Sequence, residues 1–403
     1  LTAPEPAGQE PGGQEPGRQE PGRQEPAAQI RLPGRAEPLV IPAPGWAASH
    51  PPPKSRQVFA AAHVAAFPAG RDAPEVIDWE STLRFRDHLW AHGFGVAEAM
   101  DTAQRGMGLS WEQSRELISL SAARAAGTGA VIACGAGTDQ LADGESYPIP
   151  RIARAYEEQL GVVQSAGADV ILMASRHLAA SARGAQDYLD VYGALLKQAD
   201  RPVMLHWLGE AFDPALRGYW GSPDFGSAAD TVLELIDRAG GQVAGVKLSV
   251  LDAGREVALR RRLPPGVRLY TGDDFNYAEL IRGDETGHSD ALLGAFAAIT
   301  APAAAALQAL DAGDLAGYDA AIAPTVPLSR LIFEPPTFYY KAGVAFLAWL
   351  NGLQPHFAML AGLHRRRPAE HLVRVFELAA AARALANPAL AADRMTGLLA
   401  ALR

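Results

Sequence analysis

The sequence predicts an α/β fold, a single (β/α)8 TIM barrel. Three observations predict it. From residue 58 onward, eight short apolar runs alternate with eight stretches of helical spacing. The runs are apolar on both faces, as parallel strands buried between helices are. The segment after the first run, Pro68-Ala-Gly-Arg-Asp72, lacks the Gly-x-Gly-x-x-Gly that opens a dinucleotide-binding sheet. Strict alternation implies parallel strands joined by right-handed crossovers, and eight units in a row favour closure over an open sheet.

The expected strands are 58–67, 94–100, 130–136, 169–174, 202–208, 243–249, 267–272 and 290–296. The expected helices between and after them are 80–92, 110–126, 150–166, 184–199, 227–240, 252–262, 275–282 and 300–312. Beyond residue 313 the segments 314–333, 337–351 and 369–401 are rich in Ala and Leu and read as three helices. Before the barrel, Gln-Glu-Pro recurs at Gln9, Gln14, Gln19 and Gln24. Such a Pro/Gly-rich repeat without aromatics buries no core, so residues 1–28 are expected to be disordered. Residues 30–56 stay proline-rich (Pro51-Pro-Pro53) and read as a linker or wrap-around arm. The chain opens on Leu1 rather than Met, and the tail is expected to be a start-site artefact without function. Three segments result: a disordered tail and linker over 1–56, a barrel over 57–313, and a C-terminal helical extension over 314–403 packed on the barrel.

Composition narrows the function. The 403 residues are 48% hydrophobic and carry a net charge of −9, enough for a sizeable core. No basic stripe with interleaved aromatics is present, which argues against nucleic acid as a partner. The best candidate for a membrane span, Val344–Leu350, is far too short to cross. The N-terminus has no apolar signal-peptide core. Cys134 is the single cysteine, so no intramolecular disulfide forms, and a cytoplasmic location is expected. Its apolar setting reads as that of a buried hydrophobe.

Lys247 is the most informative residue. The chain has 36 Lys+Arg but only four lysines: Lys54, Lys197, Lys247 and Lys341. Lys247 lies inside the apolar run Val243-Ala-Gly-Val-Lys-Leu-Ser249, the sixth strand. An amine that loses its proton attacks a carbonyl to form a Schiff base; a guanidinium does not. Apolar neighbours favour the free amine. The other reading is a structural lysine paired with a barrel carboxylate.

In such barrels the chemistry sits at the C-terminal ends of the strands. Polar residues there are Asp101 and Thr102 after the second strand, Asp139 after the third, and Arg176 and His177 after the fourth. His206 lies on the fifth strand, and Gly272, Asp273 and Asp274 follow the seventh. His206 neighbours Lys247 in strand order and suits proton transfer; a packed histidine is the alternative. Gly272-Asp273-Asp274 presents backbone N–H groups to a carboxylate, or makes an ordinary turn and helix cap. A competing metal site would draw on His63, Glu98, Asp139, His177 and His206, though none shows His-x-x-x-His spacing.

With a lysine on the sixth strand and Gly-Asp-Asp after the seventh, the chain resembles the dihydrodipicolinate synthase / N-acetylneuraminate lyase family. Val243-Ala-Gly-Val-Lys247 looks like that family's Val-x-Gly-Ile-Lys, and Leu269-Tyr-Thr-Gly-Asp-Asp274 like its Leu-x-Ser-Gly-Asp-Asp. Pro202-Val-Met-Leu-His206 falls on its Pro-x-x-Leu-Tyr. Thr300–Leu315 and Tyr340-Lys341-Ala-Gly343 also follow it, so the resemblance spans residues 58–390 in order. It implies a class I aldolase that forms a Schiff base with a 2-keto acid, needs no cofactor or metal, and assembles as a dimer or tetramer. Departures mark a divergent branch. His206 stands where the family has a tyrosine. Asp101-Thr102-Ala103 stands on its carboxylate-binding Gly-Thr-Thr, so Asp101 repels a substrate carboxylate unless Arg105 or Arg176 offsets it. Its tyrosine pair after the fourth strand falls near Arg176 and His177.

The expected function is therefore a Schiff-base lyase or dehydratase acting on a small-molecule keto acid or sugar-derived carbonyl. Lys247 and His206 are the expected catalytic residues. Asp101, Thr102, Arg176, His177, Gly272 and Asp273 are expected to bind substrate. The alternatives are a metal-dependent barrel isomerase or hydrolase, and a non-catalytic barrel that binds a sugar acid.

Overall fold

The computed structural model describes residues 28–70 and 73–401; the Gln-Glu-Pro repeat lies outside them. Eight strands form a closed parallel barrel. They are β1 (Val58–Ala61), β2 (Gly95–Glu98), β3 (Ile132–Ala136), β4 (Asp169–Leu172), β5 (Val203–Leu208), β6 (Val243–Ser249), β7 (Arg268–Thr271) and β8 (Asp290–Leu293). Closure comes from β8 on β1, where Ala291 pairs with Val58 and Leu293 with Ala60. Every expected strand is present in the expected order.

The strands form because both of their faces find apolar partners. On β4, Val170 and Leu172 face the helices, while Ile171 faces the barrel axis. The axis is filled by Phe59, Ala61, Ala97, Ala133, Ile171, Met204, Tyr270 and Leu292. Successive residues of a strand point to opposite faces, so a run apolar at every position fits a strand covered on both sides. Each fully buried aliphatic side chain contributes about 1.5–3 kcal/mol.

The helices of the repeat are α1 (Trp79–Ala91), α2 (Trp111–Ala125), α3 (Ile149–Ser165), α4 (Ala185–Gln198), α5 (Phe225–Arg238), α6 (Ala253–Arg260), α7 (Tyr277–Arg282) and α8 (Thr300–Asp311). Four of the eight starts are set by capping side chains that satisfy otherwise unpaired N–H groups. Asp78, Asp224 and Asp252 cap α1, α5 and α6, and Ser110 with Gln113 makes a reciprocal capping box on α2.

Two expectations need adjustment. The run 58–67 is not one strand: β1 stops at Ala61, and Ala66–Phe67 pairs antiparallel with Val76–Ile77 in a separate ribbon. The turn between them is held where the Arg86 guanidinium takes the His63 carbonyl. The extension beyond the barrel has more helices than three: α9 (Leu315–Ile322), α10 (Val326–Ile332), α11 (Lys341–Leu350), α12 (Ala369–Ala381) and α13 (Pro388–Ala401). Pro324 and Pro327 fall where α9 gives way to α10, and Pro388 opens α13. A proline ring removes an N–H and clashes with the preceding turn, so helix boundaries collect there.

The arm before β1 is ordered over the described residues. Ala28–Ile30 pairs antiparallel with Leu39–Ile41, and this ribbon packs on α12 and α13. Trp46 Nε1 donates to the Arg383 carbonyl at 2.8 Å. Lys54 and Ser55 donate backbone N–H groups to the Asp311 carboxylate at 2.7 and 2.8 Å.

Candidate active site

The register of β5 and β6 places Lys247 beside His206 and Ser249 beside Leu208. Paired residues on adjacent parallel strands point to the same face, so Lys247 and His206 both face the barrel axis. A floor lies below them. Tyr270, the partner of Lys247 on β7, belongs to the axial core. A Cβ at Gly245 would meet the Tyr270 ring at 2.6 Å, so the glycine makes room for that ring. On β6 the inward positions are thus Gly245, Lys247 and Ser249: space, amine and hydroxyl.

Gly272 presses on the same amine. A Cβ there would meet Ser249 Oγ at 2.1 Å and Lys247 Cε at 3.0 Å. The Gly272 N–H is spent on the Leu248 carbonyl at 2.8 Å. Asp273 closes a turn: Oδ1 accepts the N–H groups of Phe275 and Asn276 at 2.9 and 3.0 Å, and Oδ2 accepts Asn276 Nδ2 at 2.8 Å. The N–H of Asp273 itself bonds Thr271 Oγ1 at 3.2 Å. This segment therefore shapes the wall beside Lys247 and has its own donors occupied.

Lys247 is 5% exposed. Burial lowers its pKa below the ordinary lysine value, against the raising influence of Asp101 and Asp274. The two carboxylates differ. Burial pushes Asp274 up to about 8, with its Oδ1 fixed by the Ala295 N–H at 2.8 Å. Burial also opposes ionisation of Asp101, but Lys247, Lys341, His206 and the Tyr340 hydroxyl together bring its carboxyl below the ordinary range. Lys247 thus faces one firm anion, Asp101, and one carboxyl that keeps its proton at neutral pH.

His206 is fully buried, and burial first and Lys247 second hold it well below the usual imidazole pKa, so it is neutral. Its Nε2 lies 3.3 Å from Ser249 Oγ, and its Nδ1 has no hydrogen-bond partner among the described residues.

The extension supplies two further groups. Tyr340, just before α11, donates its hydroxyl to Asp101 Oδ2 at 2.7 Å and shares a 2.6 Å hydrogen bond with Thr102 Oγ1. Phe333 stacks on the Tyr340 ring at 4.3 Å and Phe212 meets it edge-on, which fixes the ring. Lys341 is buried with its Nζ 3.4 Å from Met107 Sδ; burial lowers its pKa to about 8, against the pull of Asp101. Lys54 and Lys197 are exposed. Both buried lysines of the chain therefore act on Asp101.

The remaining sequence-derived residues divide. Asp101, Arg176 and His177 line one cleft at the barrel mouth with Arg105, Asp139, Ser175 and Asp213. Arg176 is committed to Asp213 at 2.5 Å, with Asp143 at 3.9 Å. Arg105 forks onto Asp139 at 2.8–3.0 Å and gives Nη1 to the Ala99 and Gly135 carbonyls at 3.0 and 2.6 Å. So neither arginine offsets Asp101 directly; Lys341 and Lys247 do. His177 bonds Thr138 Oγ1 and the Ala142 carbonyl, both at 3.1 Å.

The residues weighed for a metal do not converge. Glu98 points outward into a buried bidentate pair with Arg86 at 2.7 and 2.8 Å, and Ser121 Oγ donates to it at 2.6 Å. His63 bonds Gln354 Oε1 at 2.7 Å, and burial lowers its pKa to about 4. Among the described residues no three His, Cys, Asp or Glu side chains gather as a metal site would require. Cys134 is buried in β3, and its thiol is pushed up by burial.

Tyr340, Lys341, Asp274 and Ser249 were not among the residues assigned to the site from sequence. The one signal for the first two was Tyr340-Lys341-Ala-Gly343, which marked the segment without saying that it reaches Asp101.

Comparison with known proteins follows the same lines. A family model described as "Protein of unknown function (DUF993)" matches residues 35–402. No curated protein matches. Among solved structures, the chain is similar to dihydrodipicolinate synthase from Oceanobacillus iheyensis, with a TM-score of 0.60 and 15% identity over 80% of this chain and 95% of that one. It is similar to dihydrodipicolinate synthase from Thermotoga maritima, with a TM-score of 0.62 and 14% identity over 82% of this chain and all of that one. It is also similar to YagE, a prophage protein of the dihydrodipicolinic acid synthase family from E. coli K12, solved in complex with pyruvate. There the TM-score is 0.63 and the identity 15%, over 80% of this chain and 98% of that one. At these identities the likeness is one of fold, and at that level the resemblance read in the sequence is met.

Proposed function

The chain belongs to the DUF993 family, and from that premise and its site geometry we propose that it is a class I lyase or dehydratase that forms a Schiff base through Lys247. The observation that carries the reading is a buried amine at the C-terminal half of β6, its pKa lowered by desolvation, beside the neutral His206 on β5. Desolvation raises the fraction of free amine, which is the nucleophilic form. The fold shared with dihydrodipicolinate synthases, and with YagE, a protein of that family solved in complex with pyruvate, supports it.

In this reading Lys247 Nζ adds to the substrate carbonyl carbon, the carbonyl oxygen leaves as water, and an iminium remains. In C–C cleavage the proton of the β-hydroxyl passes to a base. The electron pair of the breaking C–C bond moves to the iminium nitrogen, and an aldehyde departs. The enamine is then protonated on carbon and hydrolysed. His206 and the Tyr340 hydroxyl carry protons. Tyr340 suits that task because it links Thr102 and Asp101 in one hydrogen-bonded chain. Thr102 and Asp101 hold the polar end of the substrate, and Arg176 and His177 line the way in. No cofactor or metal takes part.

The proposal extends to a cytoplasmic homo-oligomer. Among the described residues no helix is long and apolar enough to cross a membrane. The single cysteine, Cys134, is free and buried.

The test is borohydride reduction in the presence of a panel of 2-keto acids and hydroxylated ketones, followed by mass spectrometry. The expected result is an adduct on Lys247 that is lost in Lys247→Ala. Activity that survives Lys247→Ala without any adduct would sink the proposal. Thermal stabilisation by a ligand without turnover, unchanged in Lys247→Arg, would mark a binding barrel instead.

A further inference from the structure

The cleft says which polar end the substrate brings to Asp101. Three features bear on this. First, Asp101 lines the mouth and keeps one lone-pair-bearing oxygen uncommitted: Oδ2 takes the Tyr340 hydroxyl, while Oδ1 has no partner among the described residues. An acceptor sheltered from water and left without a donor costs free energy that a ligand donor recovers.

Second, the guanidinium groups at the mouth are already neutralised. Arg105 is taken up by Asp139, Gln159 and two carbonyls, and Arg176 by Asp213 with Asp143 nearby. Each guanidinium charge is thus met by a carboxylate of the protein, and Arg105 has every nitrogen occupied, so its planar fork is not open to the carboxylate of a 2-keto acid. The Gly272 and Asp273 N–H groups are taken as well, by Leu248 and Thr271.

Third, Lys341, its pKa lowered only to about 8, meets the charge of Asp101 from within the protein when Lys247 is the free amine. A carboxylate brought to the same place would add a second desolvated anion beside Asp101, an arrangement that costs several kcal/mol when like charges are juxtaposed.

We infer that the substrate is a hydroxylated ketone or aldehyde rather than a 2-keto acid, with a hydroxyl on the carbon next to the reacting carbonyl donating to Asp101 Oδ1. This rests on the Schiff-base reading of Lys247 and adds the class of compound that the amine meets. Hydroxyacetone and dihydroxyacetone carry the required group; pyruvate has a carboxylate in that position. The hydroxyl supplies the proton that Oδ1 lacks and brings no charge of its own. The carbon that bears this hydroxyl is bonded to the carbon that Lys247 attacks, so Asp101 positions the carbonyl as well as selecting it.

The experiment is borohydride trapping of the full chain with matched concentrations of hydroxyacetone, dihydroxyacetone, pyruvate and 2-oxobutyrate, read as the fraction of Lys247 modified. The inference expects the two hydroxyketones to trap at least about tenfold more efficiently than the two keto acids, the effect of one hydrogen bond to a charged group. Asp101→Asn, which keeps shape and removes the charge, should narrow that ratio by about tenfold and admit pyruvate. Equal or better trapping by pyruvate in the unaltered chain would overturn the inference and leave the Schiff-base reading standing. No adduct with any of the four compounds would overturn both. A preference for hydroxyketones that is unchanged in a folded Asp101→Asn would overturn the role of Asp101.

Discussion

The Tyr340 hydroxyl donates to Asp101 Oδ2 at 2.7 Å, joining the helical extension to the end of β2. The same oxygen lies 2.6 Å from Thr102 Oγ1. The first prediction concerns this junction. Tyr340→Phe keeps the ring in its stack with Phe333 and removes only the hydroxyl. Turnover should fall by about 100-fold, the scale of a positioned proton-transfer group, with the melting temperature little changed. Steady-state kinetics alongside a thermal melt separates the two. A variant with unchanged turnover would remove Tyr340 from the proton path.

Asp274 sets the pH at which Lys247 is free to react. Its carboxyl is pushed up to about 8 by burial, so it is protonated at neutral pH and ionises above that. Once ionised, it adds an anion near Lys247 and favours the ammonium form. Asp274→Asn removes that influence. The pH at half-maximal borohydride trapping should therefore move downward, by up to about one unit. A move upward would contradict this account of the pair.

Gly272 is held to glycine by the Ser249 hydroxyl and the stem of Lys247. Gly272→Ala places a methyl against Ser249 Oγ, the Leu248 carbonyl and Lys247 Cε at 2.1, 2.9 and 3.0 Å. Overpacking of this kind costs about 1–3 kcal/mol. Chemical denaturation should show that loss. Lys247 in the folded fraction should trap substrate more slowly, because its stem is displaced.

Glu256 ties stability to pH. It is 1% exposed and accepts the hydroxyls of Thr271 at 3.0 Å and Ser289 at 2.7 Å. Burial raises its pKa from 4.5 to about 8. Between those values the folded protein keeps a proton that the unfolded chain releases, so stability falls as pH rises through this window. Glu256→Gln should match the unaltered chain near the lower end. It should gain over it progressively toward the upper end, by a few kcal/mol at most in order of magnitude. Melting curves across that range give the difference directly.

The barrel was legible because its signals are local and repeated. Each strand is a short run apolar on both faces, and each following helix announces itself with 3.6-residue spacing and often a capping Asp or Ser. Strand order alone then put Lys247 and His206 on neighbouring strands. What strand order could not show was the far partner. Tyr340 reaches Asp101 across 239 residues of chain, and no periodicity encodes that approach. The end of β1 was missed for a similar reason. Apart from His63 the segment Ala62–Ala65 stays apolar and carries no turn signal, and the tertiary hold of Arg86 on the His63 carbonyl fixes the turn there. The backbone donors after β7 looked open in sequence, because a Gly-Asp-Asp turn and an anion cradle share the same residues.

The late position of Tyr340 also matters for how the protein is made. Chains fold from the N-terminus as they leave the ribosome. Strand β6 and its amine emerge well before the segment that carries Tyr340, because 93 residues separate Lys247 from Tyr340. A nascent barrel would hold the buried Lys247 without the hydroxyl that connects Thr102 to Asp101. In the proposed reaction, a chain stalled before the extension docks carries the amine without its proton path.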